Sequence, residues 1–385
     1  MIVMLGQGIV APVLPLFAET FNVGLVAIGA TMSAFALARM VLNTPLGLAS
    51  DRVGRKQLLV GGPLVVAVGM VGSGLAPSIG VLIAWRFVAG VGLAMYMTGA
   101  MAFLADIATP DRRARFLGTN QAALQLGVSV GPAIGGLMAE LYGLRTPFWV
   151  VTGFAMTAAA YSALRLPETL KVREPGVSTK GRNRGAVKVL FRSRAYTSIL
   201  LVVMIIFLTR GTARASLLPL QGSSEFGLGA GEIGLILSGM EAINLLTLPL
   251  TASLADRFNR RFLIIPALVG MTIALSVFAA GNTLTWFLVA AGLQAIATSI
   301  AGPAPADFAA DTAPAEARGL AFGIYRPAGD FGLFIGPLVL GAVADVAGFG
   351  PAFGANAVLV GVVAVVFWVF GRPGFCPLNL RQGSE

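Results

Sequence analysis

The sequence predicts an all-α membrane protein of twelve transmembrane helices, arranged as two pseudo-symmetric six-helix bundles. Three observations predict it. Of 385 residues, 56% are hydrophobic and only 11% charged, where soluble domains carry about 25% charged residues, so a water-soluble fold is excluded. The apolar residues form long unbroken runs such as Leu58 to Leu75, unlike the alternating segments of about 10 residues in an outer-membrane barrel. Finally, the second half of the chain repeats landmarks of the first. At about 20 residues per crossing, twelve crossings leave room for short loops and one longer connection, but not for a sizeable soluble domain. The 49 glycines and 21 prolines are heavy for soluble helices and tolerated in membrane ones, where neighbours re-satisfy the backbone.

Polar punctuation divides the runs into spans near 1–18, 25–46, 58–76, 79–104, 117–140, 146–166, 196–218, 231–252, 262–281, 284–306, 318–343 and 351–371. Met1 opens almost inside the first run with no charged segment before it. That is no signal peptide, and the helix is expected to begin upstream. The longest polar stretch, Pro167 to about Ala195, holds Glu168, Lys171, Arg173, Glu174, Lys180, Arg182, Arg184, Lys188, Arg192 and Arg194. It splits the spans six and six. The expected organisation is a bundle over 1–166, a cytoplasmic linker over 167–195, a second bundle over 196–371 and a cytoplasmic tail over 372–385. A flexible linker and an amphipathic surface helix over its second half fit that stretch equally.

The 27 basic residues fix an expected orientation. The connections after spans 2, 4, 6, 8 and 10, with the C-terminal tail and the span-edge residues Arg165 and Arg318, hold 21 of them, whereas those after the odd spans hold one, Arg145. By the positive-inside rule the even spans end in the cytoplasm, and both termini lie there. The net charge of +10 is therefore a mark of topology in a plasma or inner membrane. Nucleic-acid binding is excluded, because the charge is scattered among short loops rather than gathered on one face.

Absences prune the chemistry. There is no histidine, and the single cysteine, Cys376, lies in the tail. Histidine bases, histidine or thiolate metal sites and disulfides are thus excluded. Gly6-Gln-Gly8-Ile-Val-Ala11 fits a dinucleotide turn by letter but lies inside an apolar run with no βαβ unit after it, and no P-loop is present. The 13 methionines and 24 phenylalanines read as lipid-facing and core packing. No cofactor and no enzyme activity are expected.

Shifting the sequence by 205 positions lays Asp51-Arg52 on Asp256-Arg257, Arg55-Lys56 on Arg260-Arg261 and Asp106 on Asp311. The same shift lays Gly118 on Gly323, Gly127 on Gly332 and Gly131-Pro132 on Gly336-Pro337. Six spans per copy give both copies one orientation, the parallel-repeat plan of many secondary transporters. The loop Gly47-Leu-Ala-Ser-Asp51-Arg52-Val-Gly54-Arg55-Lys56 resembles the G-x-x-x-D-R-x-G-R-K loop of the major facilitator superfamily. Asp256-Arg257-Phe-Asn259-Arg260-Arg261 resembles its degenerate second copy, with Asn259 where glycine is preferred. Arg86-Phe-Val-Ala-Gly90-Val-Gly92 is similar to that family's R-x-x-x-G-x-G motif, and Gly127-x-x-x-Gly131-Pro132-x-x-Gly135-Gly136 to the motif of its antiporters.

The resemblance implies a monomeric carrier of a small-molecule substrate that works by alternating access, most simply a proton-coupled antiporter for efflux. A proton symporter or facilitator for uptake, and a non-transporting membrane sensor, are the rivals. It implies a conformational latch of Gly47, Asp51, Arg52, Gly54, Arg55, Lys56, Asp106 and Arg115, with Asp256, Arg257, Arg260 and Arg261 in the second copy. The competing reading of those basic residues is orientation alone. Glycines at 127, 131 and 135 make a side-chain-free ridge and Pro132 removes a backbone bond, and Gly136 adjoins them. Gly332, Gly336, Pro337 and Gly341 repeat the pattern.

Intramembrane ionisable groups are the remaining pointers, because a bare charge there is costly. A proton-coupled carrier needs a buried carboxylate that titrates near working pH. Glu241 is the first candidate and Asp330 the second, each also readable as half of a permanent ion pair, Asp330 with Arg326 four residues away. Asp307 reads equally as a helix-end group or a site residue. The expected substrate chamber takes Gln7, Arg39, Asn43, Arg86, Gln121, Gln125, Arg210, Arg214, Asn244 and Arg326. Arg210 and Arg214, four apart, are expected on one helix face.

Overall fold

Buried apolar side chains and a backbone that must satisfy its own hydrogen bonds in lipid leave the helix as the element of choice, and no strand occurs among the described residues. The computed structural model describes residues 2–107, 113–169, 187, 190–257, 259–302, 304–314 and 318–372. Most of the expected linker, and the tail beyond Arg372, lie outside the described residues. So does the choice between a flexible linker and a surface helix.

The first half consists of α1 (Ile2–Val10), α2 (Val13–Glu19), α3 (Leu25–Val53), α4 (Arg55–Leu75), α5 (Ile79–Ile107), α6 (Arg113–Tyr142) and α7 (Thr146–Arg165). In the second, α8 (Arg194–Thr209) runs through a π-helical stretch, Arg210–Leu217, into α9 (Leu218–Phe226). Then follow α10 (Ala230–Arg257), α11 (Arg261–Ala280), α12 (Leu284–Ala301), α13 (Ala304–Asp311), α14 (Arg318–Ala347) and α15 (Phe349–Phe370). Ten helical segments of the described residues are long and apolar enough to cross a membrane. The other two of the twelve crossings are the α1–α2 pair and α10, which carries Glu241 at mid-length.

Three expected spans are less regular than their apolar runs suggested. The first is two helices, because Pro12 and Pro15 lack the N–H groups that would continue the ladder, and Ala11 instead donates to Gly8 in a tight turn. The tenth is α12 and α13, broken at Gly302, whose φ is +36°. In the seventh, the turn before Pro219 is widened, and the Leu218 N–H reaches back five residues to the Ala213 carbonyl.

The repeat survives in three dimensions. Gly143 and Gly348, equivalent at the shift of 205, turn the chain with φ of +95° and +89°, a region that costs glycine nothing. Each half has its own buried core. In the first half it is centred on residues such as Ile9, Leu14, Leu82 and Phe148. In the second it is centred on Tyr196, Leu268, Phe287 and Phe353. The cores interlock where Leu16 joins the second and Leu220 the first, with Leu25 and Leu144 packed against the second and Phe349 against the first. Large apolar side chains such as Val346, Leu164 and Leu246 stay exposed on the outside, which suits a lipid-facing surface.

Candidate functional site

The halves meet along two diagonals, α3 against α14 and α6 against α10. The end of the bundle carrying the D-R-x-G-R-K loop is the basic face and the opposite end the distal face. From the distal face inward, the contacts come in tiers that obey the repeat. Asp345, in the last turn of α14, accepts the backbone N–H of Leu25 at 2.6 Å and of Val26 at 3.0 Å. Its equivalent Glu140, in the last turn of α6, accepts the Gly231 N–H at 2.8 Å. Deeper, a Cβ on Gly29 would sit 2.5 Å from the Pro337 carbonyl oxygen, and one on Gly234 would overlap the Pro132 carbonyl. Next, Ser33 Oγ donates to the Phe334 carbonyl at 2.6 Å, and its equivalent Ser238 accepts the Ala133 N–H at 2.8 Å.

At mid-span two carboxylates tie the halves together. Asp330 on α14 pairs with Arg39 on α3 at 2.9 Å and accepts from Asn43 Nδ2 at 3.1 Å. Glu241 on α10 accepts at Oε2 from Gln125 of α6 at 3.1 Å and from Asn244 at 3.3 Å. Its Oε1 faces Arg210 at 3.2 Å and Arg214 at 3.1 Å, although Arg214 Nη2 makes no hydrogen bond there. Both carboxylates are 4% exposed, so these partners are what makes their charge tolerable. One turn nearer the basic face the tiers end. Gln121 and its equivalent Arg326 are exposed, as is more than a third of the Arg210 side chain. These exposed polar groups, on the basic side of the two carboxylates, are the candidates to line a solute chamber.

The predicted residues divide accordingly. Arg39, Asn43, Gln125, Arg210, Arg214, Glu241, Asn244 and Asp330 come together as two clusters. Arg210 and Arg214 do so from a π-helical stretch rather than from the α-helical face expected. Asp330 takes its partner from the other half, Arg39, and not from Arg326, its expected neighbour. Arg86 is 4% exposed and lies over the Phe35 ring at 4.7 Å, with Nε and Nη1 free of hydrogen bonds, so it packs α5 against α3. Gln7 is half-buried on α1. Asp307 lies on α13, 3.8 Å from Arg260, as a helix-end group.

The glycine ridge splits between two partners. Gly131 packs on Gly8 and Gly135 on the Ile9 backbone, whereas Gly136 faces Ala230 and Gly234 across the interface. In α14, Gly332 and Gly336 pack on α8 and the start of the π-helical stretch, while Gly341 approaches Leu25 of the first half.

At the basic face, Arg55 Nε meets Asp106 at 3.0 Å, and its equivalent Arg260 pairs with Asp311. Gly54 takes φ +105°, and a Cβ there would lie 2.6 Å from Glu168 Oε2. Glu168 accepts the N–H groups of Arg55 and Lys56 at 3.0 and 3.1 Å, capping α4. The Asn259 side chain caps α11 itself, accepting from Arg261 N–H at 3.1 Å. The side chains of Asp51, Arg52, Arg115, Asp256 and Arg257 lie outside the described residues. Sequence reasoning missed Glu140, Asp345, Ser33 and Ser238 as interface groups and Glu168 as a cap. The repeat could have found the first four, since all fall on equivalent positions.

The sequence model of the Major Facilitator Superfamily matches residues 1–220 and 201–382. "Multidrug resistance protein 1" of Bacillus subtilis is 28% identical over 373 residues, covering 95% of this chain and 93% of that protein. "Quinolone resistance protein NorA" of Staphylococcus aureus is 25% identical over 371 residues, covering 95% and 93%. Among solved structures, a bacterial homolog to the human lysosomal transporter Spinster, inward-facing and occupied, superposes with a TM-score of 0.82. Its identity is 16% over 97% of this chain and 94% of that one.

Proposed function

The chain belongs to the Major Facilitator Superfamily, and from that premise we propose that it is a proton-coupled exporter of small organic molecules. As a transporter of that family it is a multi-span membrane protein acting on small-molecule substrates, and not an enzyme. In this reading both termini and the basic face are cytoplasmic, the distal face is external, and bundles over 1–166 and 196–371 rock about the central chamber. Gln7, Arg39, Asn43, Gln121, Gln125, Arg210, Arg214, Asn244 and Arg326 serve the solute. Glu241 and Asp330 serve the proton. Arg55, Lys56 and Asp106 belong to the cytoplasmic latch.

The observation that carries the reading is the placement of Asp330 and Glu241. Each is buried where the chamber begins, and each bonds a residue of the opposite half. A proton arriving on either carboxylate removes the charge that holds that bond. A solute that binds the same carboxylate excludes the proton, and mutual exclusion of two ligands is the requirement of exchange. The printed names of the relatives, multidrug and quinolone resistance proteins, fit efflux.

One feature favours a second reading. Two guanidiniums converge on one oxygen of Glu241. An anionic solute taking those arginines would leave Glu241 free to bind a proton, so solute and proton would travel together as in symport. Inverted vesicles separate the two. Under an acid-inside gradient an exchanger accumulates a fluorescent organic cation, and Glu241→Gln or Asp330→Asn abolishes the pH dependence. Accumulation unaffected by pH in wild type, or wild-type pH dependence in both variants, would refute the proton role. Proton-linked uptake of an organic anion by right-side-out vesicles would establish symport instead.

A further inference from the structure

We infer that Glu140 and Asp345 are a matched pair of gate residues, each holding the distal face shut by gripping the first turn of a helix from the other half. Their placement calls for an explanation. Both are acidic side chains in the last turn of long helices, α6 and α14, where the carboxylate opposes the negative end of its own helix dipole. The placement is favourable only toward the neighbour. The first N–H groups of a helix have no partner within it, and here they face these carboxylates. Asp345 takes two, Leu25 and Val26 N–H, one on each oxygen, and Glu140 takes Gly231 N–H. Small residues keep the approach open. A Cβ on Gly24 would lie 2.9 Å from Asp345 Oδ2, and one on Gly231 would overlap Glu140.

The two grips are equivalent at the shift of 205, so they act on both diagonals at once. Among the described residues they are also the cross-half hydrogen bonds nearest the distal face, on solvent-exposed side chains. Opening that face separates α3 from α14 and α6 from α10, which must break both. Exposure makes each bond weak enough to break, whereas the deeper glycine–proline contacts contribute shape without a bond. Among the described residues, Glu140 and Asp345 bond backbone N–H groups of Gly231, Leu25 and Val26 and none of the candidate solute residues, so their role is positional.

The inference rests on the alternating-access part of the proposed function, and the test needs neither solute nor proton gradient, so its failure is separate from a failure of proton coupling. Spin labels at Ser78→Cys and Asn282→Cys, in a Cys376→Ser background, report the width of the distal mouth in purified full-length protein. Glu140→Ala or Asp345→Ala should each raise the ratio of distal-open to distal-closed molecules about fivefold, the effect of losing a cap. The double variant should raise it about 25-fold, as independent sites multiply. The isosteric Asp345→Asn, which keeps one accepting oxygen for Leu25 or Val26, should fall between wild type and Asp345→Ala and guards against a folding defect. An unchanged distance distribution in the double variant, or in Asp345→Ala with normal thermal stability, would overturn the inference.

Discussion

The two halves share a scaffold and differ in the charge they carry at mid-span. Position by position, Arg210, Arg214 and Glu241 in the second half stand where the first has Leu5, Ile9 and Ala36. Asp330 stands where the first half has Gln125, and Asn244 where it has Arg39. One diagonal is thus joined by an arginine–aspartate ion pair, while on the other the neutral counterparts Gln125 and Asn244 both donate to Glu241. The backbones hardly register the exchange. Gly29 against Pro337 and Gly234 against Pro132 approach in the same way. Small residues at helix crossings set the geometry of a duplicated bundle, and the side chains beside them are then free to diverge into different chemistry.

That comparison can be broken at several points. The largest effect is expected from Glu241→Gln, which leaves Arg214, nine-tenths buried, without its counter-charge. Stripping one partner from a buried pair costs about 3–5 kcal/mol, and thermal unfolding in detergent should show it. Asp330→Asn strands Arg39, whose side chain is 24% exposed and can recruit water. Its cost should be nearer ~1–3 kcal/mol, the range for an unsatisfied polar group, and an equal loss in the two variants would show the diagonals to be energetically alike.

Leucine at Gly29 or Gly234 would meet a backbone carbonyl that has nowhere to rotate. Each substitution should destabilise the distal-closed state by about 1–3 kcal/mol, equally on the two diagonals, read from the distal spin-label distances. The smallest effect is expected at the loops. Asn259→Ala removes the cap of α11 and should cost about 1 kcal/mol. Asn259→Gly, restoring the first half's residue, should cost less, again by thermal unfolding.

Much of the fold was legible in the sequence because its causes are local. Apolar run length gave the crossings, and one shift gave the repeat from Asp51 and Asp256 to Gly131-Pro132 and Gly336-Pro337. Irregularities inside spans were less legible. The break at Pro12 is a local signal, but the widened turn at Arg210–Leu217 arises from Pro219 acting with the packing around it. Partners were the least legible. Arg326, four residues from Asp330, looked like its mate, yet Arg39 from another helix occupies that place. Spacing along a helix tells which residues share a face, and not what that face meets.

The sequence by itself determined the membrane setting, the helix content, the duplication and which ionisable groups lie inside spans, because each follows from hydropathy, backbone hydrogen bonding or self-similarity along one chain. Tertiary structure alone decided which carboxylate meets which cation, and that Glu140, Asp345 and Glu168 grip the ends of other helices. Those pairings join residues up to 320 positions apart. They are fixed by how two rigid bundles dock, and nothing in the local sequence encodes the distance between them.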